Sequence, residues 1–238
     1  MMFETLAALF LAHVLADFIL QTTAMVAAKR RPLIMALHAA IVLVTAALAL
    51  GSVSPWLLAL TAAHLVIDVA KTHTNRRGIW PFLADQAAHA ATLIALALWR
   101  PDLWSQGLWS QYSFLPPIMA LTAGLIAATR AGGFAIDLLM EPWTDATPKG
   151  LTNGGRVIGN LERALIFLLI LSGQTQNIGF LIAAKSVLRF GVVADDRAAS
   201  EYVIIGTLAS VAWAIAAALA TTILLNHLAP LGIPDLLP

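Results

Sequence analysis

Residues 3–21 read FETLAALFLAHVLADFILQ, an apolar stretch that contains His13 and Asp17. A helix that spans the hydrocarbon core of a bilayer needs about 20 mostly apolar residues. We therefore predict a transmembrane helix here. We expect it to be retained, because Met1 to Glu4 contain no basic residue and no small-residue cleavage pattern follows.

The composition of the whole chain also indicates a membrane protein. Of the 238 residues, 60% are hydrophobic and 11% are charged, and the mean hydropathy is +0.83. A soluble domain is typically about 45–50% apolar and about a quarter charged. The composition therefore excludes a soluble enzyme and a disordered protein. Absence of cysteine excludes thiolate metal sites, and a net charge of +1 gives no reason to expect a nucleic-acid partner.

About eight apolar segments follow one another along the chain. They lie near residues 3–21, 32–50, 55–70, 82–99, 117–139, 158–172, 178–190 and 202–228. They are rich in Ala and Leu and lack the alternation of barrel strands, so we predict an all-α, polytopic membrane protein of about eight transmembrane helices. The segments at 158 and 178 carry charged residues and are the weakest of the eight.

Basic residues predict the orientation of these segments, because short cytoplasmic loops carry an excess of Lys and Arg. The odd-numbered loops hold Lys29, Arg30, Arg31, Lys71, Arg76, Arg77, Lys149, Arg156, Arg189 and Arg197, whereas the even-numbered loops hold Arg100 alone. We expect the odd-numbered loops in the cytoplasm and the protein in the inner membrane of a bacterium, with membrane lipids as its partners. The loop from Arg100 to Pro116 is taken as a boundary between two bundles, 1–100 and 101–238.

A histidine and an aspartate four residues apart recur in three of the segments. The first segment contains His13 and Asp17, the third His64 and Asp68, and the fourth the reversed pair Asp85 and His89. Residues four apart share one face of a helix, about 6 Å apart along its axis. Since the fourth segment runs antiparallel to the other two, all three pairs place the aspartate nearer the cytoplasm.

Six ionisable residues at matched depth predict one shared polar site. A single aspartate at the centre of a membrane helix costs about 2.5–3.5 kcal/mol, and one such residue could simply reach the interface or bond a carbonyl group. Six on three helices are harder to explain in that way. His38, in the second segment, is expected at the margin of the site.

Imidazole and carboxylate ligands suit a divalent metal such as Zn²⁺, Fe²⁺ or Mn²⁺. The predicted metal ligands are His13, Asp17, His64, Asp68 and His89, with Asp85 as a catalytic base and with Gln21, His38, Lys71 and Gln86 around the metal or in contact with substrate. Such a site would support hydrolysis or group transfer on a lipid-like substrate. Two other hypotheses remain open: a proton- or cation-coupled transporter that uses the same residues as a relay, and a structural subunit of a membrane complex.

The second half of the chain carries basic residues near the predicted cytoplasmic ends of its segments. Arg156, Arg163, Lys185 and Arg189 could hold a phosphate or a lipid head group, or could form ion pairs that lock the helices together.

The residues from His13 to Gln21, Lys29, His38, His64 to Lys71 and the run from Phe82 to His89 resemble a bacterial integral-membrane family, the domain of unknown function number 3307. The resemblance is dense over the first hundred residues. The stretch from Gly154 to Tyr202 is similar to the C-terminal extension of the longer members. The resemblance implies a multi-span bacterial membrane protein and no particular activity.

Overall fold

The structure is a computed structural model that describes residues 1–74, 77–146, 151–193 and 197–231, with residues 146 and 188–193 described for their backbone alone. Helices account for most of these residues and no strand occurs among them, which confirms the all-α prediction. Arg76 and Lys149, which the predicted orientation uses, lie outside the described residues.

Ten α-helices make up the described part of the chain. They are α1 (Met2–Leu15), α2 (Thr23–Ala27), α3 (Pro32–Leu50), α4 (Pro55–Thr74), α5 (Ile79–Trp99), α6 (Leu115–Ile126), α7 (Gly132–Met140), α8 (Gly154–Leu171), α9 (Asn177–Val193) and α10 (Arg197–Leu225). Wider π-helical turns extend α1 over Ala16–Leu20 and join α6 to α7 over Ala127–Ala131. A 3₁₀ turn, Glu141–Ala146, follows α7.

All eight predicted segments are helical, but the count of eight transmembrane helices is not confirmed. In the described part of the chain, five helical stretches are long and apolar enough to cross a bilayer: Met2–Leu20, Pro32–Leu50, Ile79–Trp99, Leu115–Asp145 and Arg197–Leu225. Helix α4 is long enough but contains His64, Asp68 and Lys71, and α8 contains three charged residues. The apolar part of α9 is shorter, Asn177–Val187.

The described residues form two compact units. The first contains Met1–Ile126 together with Ile223–Leu231, and the second contains Ala127–Thr222. These units are groups of residues that pack together. The division into bundles 1–100 and 101–238 stays a prediction.

In the first unit, α1 packs against α3, α5 and α6, and α4 packs against both α3 and α5. Small residues line these contacts: Ala8 and Ala12 on α1 and Ala46 and Ala49 on α3 are all buried. Small side chains let helix backbones approach closely, which is the main source of packing energy between membrane helices. This arrangement brings one face each of α1, α3, α4 and α5 together, and the polar residues of the first unit lie on those faces.

The loop between α5 and α6 is fastened to the first unit. The hydroxyl of Thr5, fully buried in α1, donates to the Pro101 carbonyl oxygen at 3.0 Å and accepts from the Trp104 backbone N–H at 3.1 Å. The Trp109 indole N–H donates to the Leu48 carbonyl oxygen at 2.8 Å, beside Gly51, whose φ of 67° ends α3. The loop is therefore part of the packed unit rather than a free connection.

The second unit is built from α7, α8, α9 and the larger part of α10. Its apolar core contains Ile166, Ile178 and Ala214. The π-helical turn Ala127–Ala131 exposes carbonyl groups that side chains bond: the Trp213 indole donates to the Ala127 carbonyl oxygen at 2.9 Å. Arg163 donates to the carbonyl oxygen of Thr129 in the same turn at 3.1 Å.

Candidate functional site

The three His/Asp pairs and His38 come together in the first unit. We call these side chains the His/Asp cluster: His13 and Asp17 at the end of α1, His38 on α3, His64 and Asp68 on α4, and Asp85 and His89 on α5. Every side chain in it is at least nine-tenths buried. Four helices therefore each turn a face that carries histidine or aspartate toward the same cluster.

Asp17 lies in the π-helical turn that ends α1, Ala16–Leu20. Single π turns inside α-helices occur often at functional sites, because the extra residue rotates the side chains of that turn relative to the rest of the helix. His13, one turn earlier, still has its Nδ1 atom 3.9 Å from Asp17 Oδ2. The other oxygen of Asp17, Oδ1, lies near His38 on α3 and His64 on α4.

Four ligand-type atoms from α3, α4 and the π turn come close together. The atoms are His38 Nε2, His64 Nε2, Asp17 Oδ1 and Asp68 Oδ2. The two nitrogens are 3.2 Å apart; His38 Nε2 is 3.3 Å from each carboxylate oxygen, and His64 Nε2 is 3.4 Å from Asp17 and 3.6 Å from Asp68. Metal bonds of about 2.0–2.2 Å place tetrahedral ligand atoms about 3.3–3.6 Å apart. Each ring nitrogen therefore lies at the spacing of tetrahedral ligands from the other three atoms, and Asp17, His38 and His64 form a group whose ligand atoms all lie within 4.8 Å of one another.

The carboxylate oxygens that face the cluster have no hydrogen-bond partner among the described residues. Asp17 Oδ1, Asp68 Oδ2 and Asp85 Oδ1 are buried and have histidine ring nitrogens at 3.3–3.6 Å, but without the geometry of a hydrogen bond; both ring nitrogens of His89 likewise lack a hydrogen bond. Buried polar atoms without a partner are rare because each costs about 1–3 kcal/mol. Several of them pointing at one another indicate that a cation, a proton or a water completes the site.

The histidine rings form a layer. The rings of His64 and His89 stack with centroids 4.0 Å apart, and the His13 ring lies 5.1 Å from His89 and 5.7 Å from His64. On the side away from the carboxylates, these rings border a cavity of about 10 Å³ that is otherwise lined by apolar side chains such as Leu60 and Leu93. A cavity of this size has room for about one water molecule.

Asp85 lies between the layer and the outside of the unit. Its Oδ1 atom is 3.6 Å from His89 Nε2, and its Oδ2 atom accepts from Lys71 at 2.6 Å and from the Gln86 amide at 3.1 Å. The Gln86 carbonyl oxygen in turn lies 3.3 Å from His13 Nε2. Lys71 and Asp85 also line an open, mostly apolar groove of about 590 Å³ between α4 and α5. The groove connects the surface of the unit to the His/Asp cluster.

Three groups of three residues have ligand atoms close enough to hold a metal ion. They are His13, His64 and His89; Asp17, His38 and His64; and Asp68, Asp85 and His89. The predicted site residues are therefore brought together, while their roles as ligands or base remain predictions. His38, expected at the margin, lies at the centre of the second group. Gln21 has a buried side-chain nitrogen without a hydrogen-bond partner.

Lys29 belongs to the site, although it was not among the predicted site residues and was assigned to a cytoplasmic loop. It follows α2, and its ammonium group donates to Asp68 Oδ1 at 2.7 Å, with 15% of the side chain exposed. Lys71, predicted near the metal or substrate and also counted toward a cytoplasmic loop, lies within α4 and bonds Asp85. The signal that could have found Lys29 is charge balance, because three buried carboxylates need cations nearby.

The basic residues predicted as an anion site lie in the second unit. Arg156, Arg163 and Lys185 line one cavity there, whereas the side chain of Arg189 lies outside the described residues. Lys185 pairs with Glu162 at 2.6 Å, so one of the predicted helix-locking ion pairs is present.

Comparison with known proteins finds a match for the N-terminal part of the chain. No curated protein and no solved structure matches. Residues 5–114 match the family model described as "Protein of unknown function (DUF3307)". The matched range begins within α1, runs past the end of α5 and contains every member of the His/Asp cluster. The resemblance inferred from those residues is thereby confirmed over residues 5–114.

Proposed function

We propose that this is an integral membrane protein whose His/Asp cluster binds a divalent transition metal. The observation that carries the proposal is the convergence of His38 Nε2, His64 Nε2, Asp17 Oδ1 and Asp68 Oδ2, in which each ring nitrogen lies 3.2–3.6 Å from the other three atoms, as two ligands of a tetrahedral metal ion would. Two nitrogen and two oxygen ligands suit Zn²⁺, Fe²⁺ or Mn²⁺.

The charges of the cluster support a bound cation. Three aspartates face only two lysines, Lys29 and Lys71, at ion-pair distance. With neutral imidazoles the cluster therefore carries one net negative charge in a buried site, where an unbalanced charge is costly. A divalent ion that carries one hydroxide would supply the missing positive charge.

The chemistry that we propose is hydrolysis or group transfer. A metal of this kind polarises an ester or phosphoryl oxygen and activates water. Our candidate for the general base is Asp85, whose Oδ1 atom lies beside His89 and outside the set of four atoms. Lys71 holds the other oxygen of that carboxylate.

The substrate that we propose is lipid-like, because of the groove between α4 and α5. Apolar side chains such as Val66 and Trp80 line it, and both are largely exposed. An acyl chain fits such a surface, and Lys71 at the inner end can contact an anionic or ester group. The bacterial inner membrane, with basic odd-numbered loops in the cytoplasm and membrane lipids as partners, is part of the same proposal.

A transporter is the second candidate, and the two lysine–aspartate pairs favour it. Lys29, Asp68, His89, Asp85 and Lys71 form a continuous series of ionisable groups with separations of 2.6–3.9 Å. Series of this kind carry protons in pumps and transporters. The same residues would then change protonation without a resident metal.

Cobalt(II) binding tests the proposed metal geometry. Visible absorption of cobalt(II) is strong in tetrahedral sites and weak in octahedral ones, so the purified chain in detergent is titrated with cobalt chloride. We expect strong absorption from the wild type and its loss in His64→Ala and Asp68→Asn. His73→Ala is the matched control, since His73 lies on the same helix, exposed and bonded only to the Val69 carbonyl oxygen. Equal spectra from the wild type and His64→Ala would reject the site.

Filling the groove tests the lipid-like substrate separately. Ala88 lies in the groove wall on α5, and Ala88→Trp would occupy it without touching the four ligand-type atoms. A photoactivatable phosphatidylcholine with a diazirine in its acyl chain should label the wild type on α4 and α5, and the variant less, while cobalt absorption stays unchanged. Equal labelling of both proteins on these helices would rule out the groove as the lipid site.

A further inference from the structure

A cavity of about 440 Å³ lies in the second unit, among α7, α8, α9 and α10. Its volume is within the range of about 300–1,000 Å³ that small-molecule sites have. It belongs to a different unit from the His/Asp cluster and shares no residue with it.

Arg163 forms a wall of this cavity and is only 3% exposed. Its guanidinium donates to three neutral acceptors: the Ser210 hydroxyl at 3.0 Å, the Thr129 carbonyl oxygen at 3.1 Å and the Asn160 side-chain oxygen at 2.7 Å. Its Nε atom is buried without a hydrogen-bond partner, and no carboxylate of the described residues is within ion-pair distance. Asp137 and Glu162 attract this guanidinium from beyond ion-pair distance. A buried guanidinium is costly without a direct ion-pair partner, and an anion in the cavity would supply one.

Glycines make the room that Arg163 occupies. A Cβ atom at Gly159 would lie 3.1 Å from Nη1, and one at Gly132 would lie 3.0 Å from Cδ of Arg163. A Cβ at Gly133 would lie 3.4 Å from Nη2. The guanidinium is therefore held in a slot formed by α7 and α8, and its position is fixed before any ligand binds.

The mouth of the cavity is also suited to an anion. Asn153 and Gly155, at the N-terminus of the 18-residue α8, line it together with the exposed Arg156. Backbone N–H groups at the start of a helix favour negative charge. Arg156 and Arg163 are seven residues apart on one face of α8, so an anion between them would meet both.

The acidic side chains of the cavity do not cancel this charge. Glu162 is neutralised by Lys185 at 2.6 Å, and Asp137 is exposed. Three cationic side chains, Arg156, Arg163 and Lys185, thus face two acidic ones. Apolar side chains such as Met140 and Val203 also line the wall.

We propose that this cavity binds one phosphate-bearing group, with Arg163 as its buried cation and Arg156 at its mouth. Guanidinium groups match the geometry of phosphate oxygens and bind them with paired, charge-assisted hydrogen bonds. The cavity is larger than a phosphate ion, so the phosphate is one end of a larger molecule. That molecule is either a lipid whose head group enters the mouth or a soluble phosphate ester. Both would present a phosphate group to the two arginines.

Binding measurements on the full chain in detergent test the proposal. The probes are inorganic phosphate and dioleoyl phosphatidic acid in mixed micelles, and dioleoylglycerol is the matched lipid without phosphate. We expect Arg163→Gln to weaken binding of the phosphate-bearing probe about tenfold or more. Arg156→Gln should weaken it by a smaller factor. Arg197→Gln is the charge-matched control, since Arg197 is 93% exposed and pairs with Glu201 on α10, away from the cavity.

The possible results distinguish a soluble ligand from a lipid ligand, and both from failure of the proposal. Arg163-dependent binding of inorganic phosphate would identify a soluble ligand, whereas Arg163-dependent binding of phosphatidic acid alone would identify a lipid head group. If Arg163→Gln does not fold, Arg163→Lys keeps the charge without the planar fork and should still weaken binding at least threefold. The proposal is overturned if neither phosphate probe binds, if dioleoylglycerol binds as tightly as phosphatidic acid, or if the folded Arg163 and Arg156 variants bind within twofold of the wild type.

Discussion

The Nε2 atoms of His38 and His64 lie 3.2 Å apart, and both rings are almost completely buried. Two imidazole nitrogens at this distance share at most one proton between them. Each nitrogen also lies within 3.6 Å of a carboxylate oxygen from Asp17 and one from Asp68. A metal ion at the centre would satisfy all four atoms at once, which one shared proton cannot do.

Replacing His38 by alanine is expected to lower metal affinity by at least about tenfold, as strongly as replacing His64, because both nitrogens belong to the same set of four atoms. The measurement is competition of each purified variant with a chromophoric zinc chelator. His73→Ala should keep the affinity of the wild type. If His38→Ala also kept it, His38 would lie around the metal rather than on it, and the tetrahedral set would be wrong.

Substitutions at Lys29 and Asp68 distinguish an effect on metal binding from an effect on protein stability. Asp68→Asn should lower both, because it removes a ligand charge and leaves the Lys29 ammonium without its partner; breaking a buried ion pair costs about 3–5 kcal/mol. In the double variant Lys29→Met, Asp68→Asn, thermal stability should recover while metal binding does not. Recovery of metal binding in the double variant would contradict a ligand role for Asp68.

The positions of the three His/Asp pairs could be predicted because helix periodicity and bilayer depth are both readable from the sequence. His13, His64 and His89 each lie one turn from an aspartate, and their rings meet as that spacing requires. The helical nature of every predicted segment follows from the same physics, since backbone groups in lipid must be satisfied within the segment.

The central position of His38 could not be predicted, because α3 is apolar on every face and nothing in its sequence fixes its rotation about its axis. Lys29 was missed because a lysine beside a membrane helix is normally a loop residue that faces water. The π turn at Asp17 has no local sequence signal. The count of eight membrane spans is not confirmed, because partly buried ion pairs, such as Lys185 with Glu162, put charges into otherwise apolar helices.

Gly107→Ala should destabilise the first unit by about 1–3 kcal/mol, because the added Cβ would overlap the Leu50 carbonyl oxygen, a backbone atom that cannot move aside. Thermal unfolding in detergent, followed by circular dichroism, measures the effect. Gly179→Ala on α9 is the control: its Cβ would meet nothing within 4 Å, and alanine favours a helix over glycine. Equal melting temperatures for Gly107→Ala and the wild type would show that the loop is not packed against α3 as described.

Single-cysteine labelling tests the predicted orientation, and the chain is suited to it because it contains no native cysteine. Arg31→Cys precedes α3 and Val53→Cys follows it, and both positions are exposed. A membrane-impermeant maleimide should label position 53 in intact cells of a bacterial expression host, and position 31 only after permeabilisation. The reverse pattern would invert the topology.

Elemental analysis of the wild-type protein tests the central claim most directly. The chain is purified in detergent without chelator, at a pH at which imidazole is neutral, and the transition-metal content is compared with that of Asp68→Asn prepared in the same way. The account predicts close to one equivalent of zinc, iron or manganese in the wild type and a large loss in the variant. Less than about a tenth of an equivalent of any transition metal in the wild type would contradict the metal site and favour the proton or cation relay.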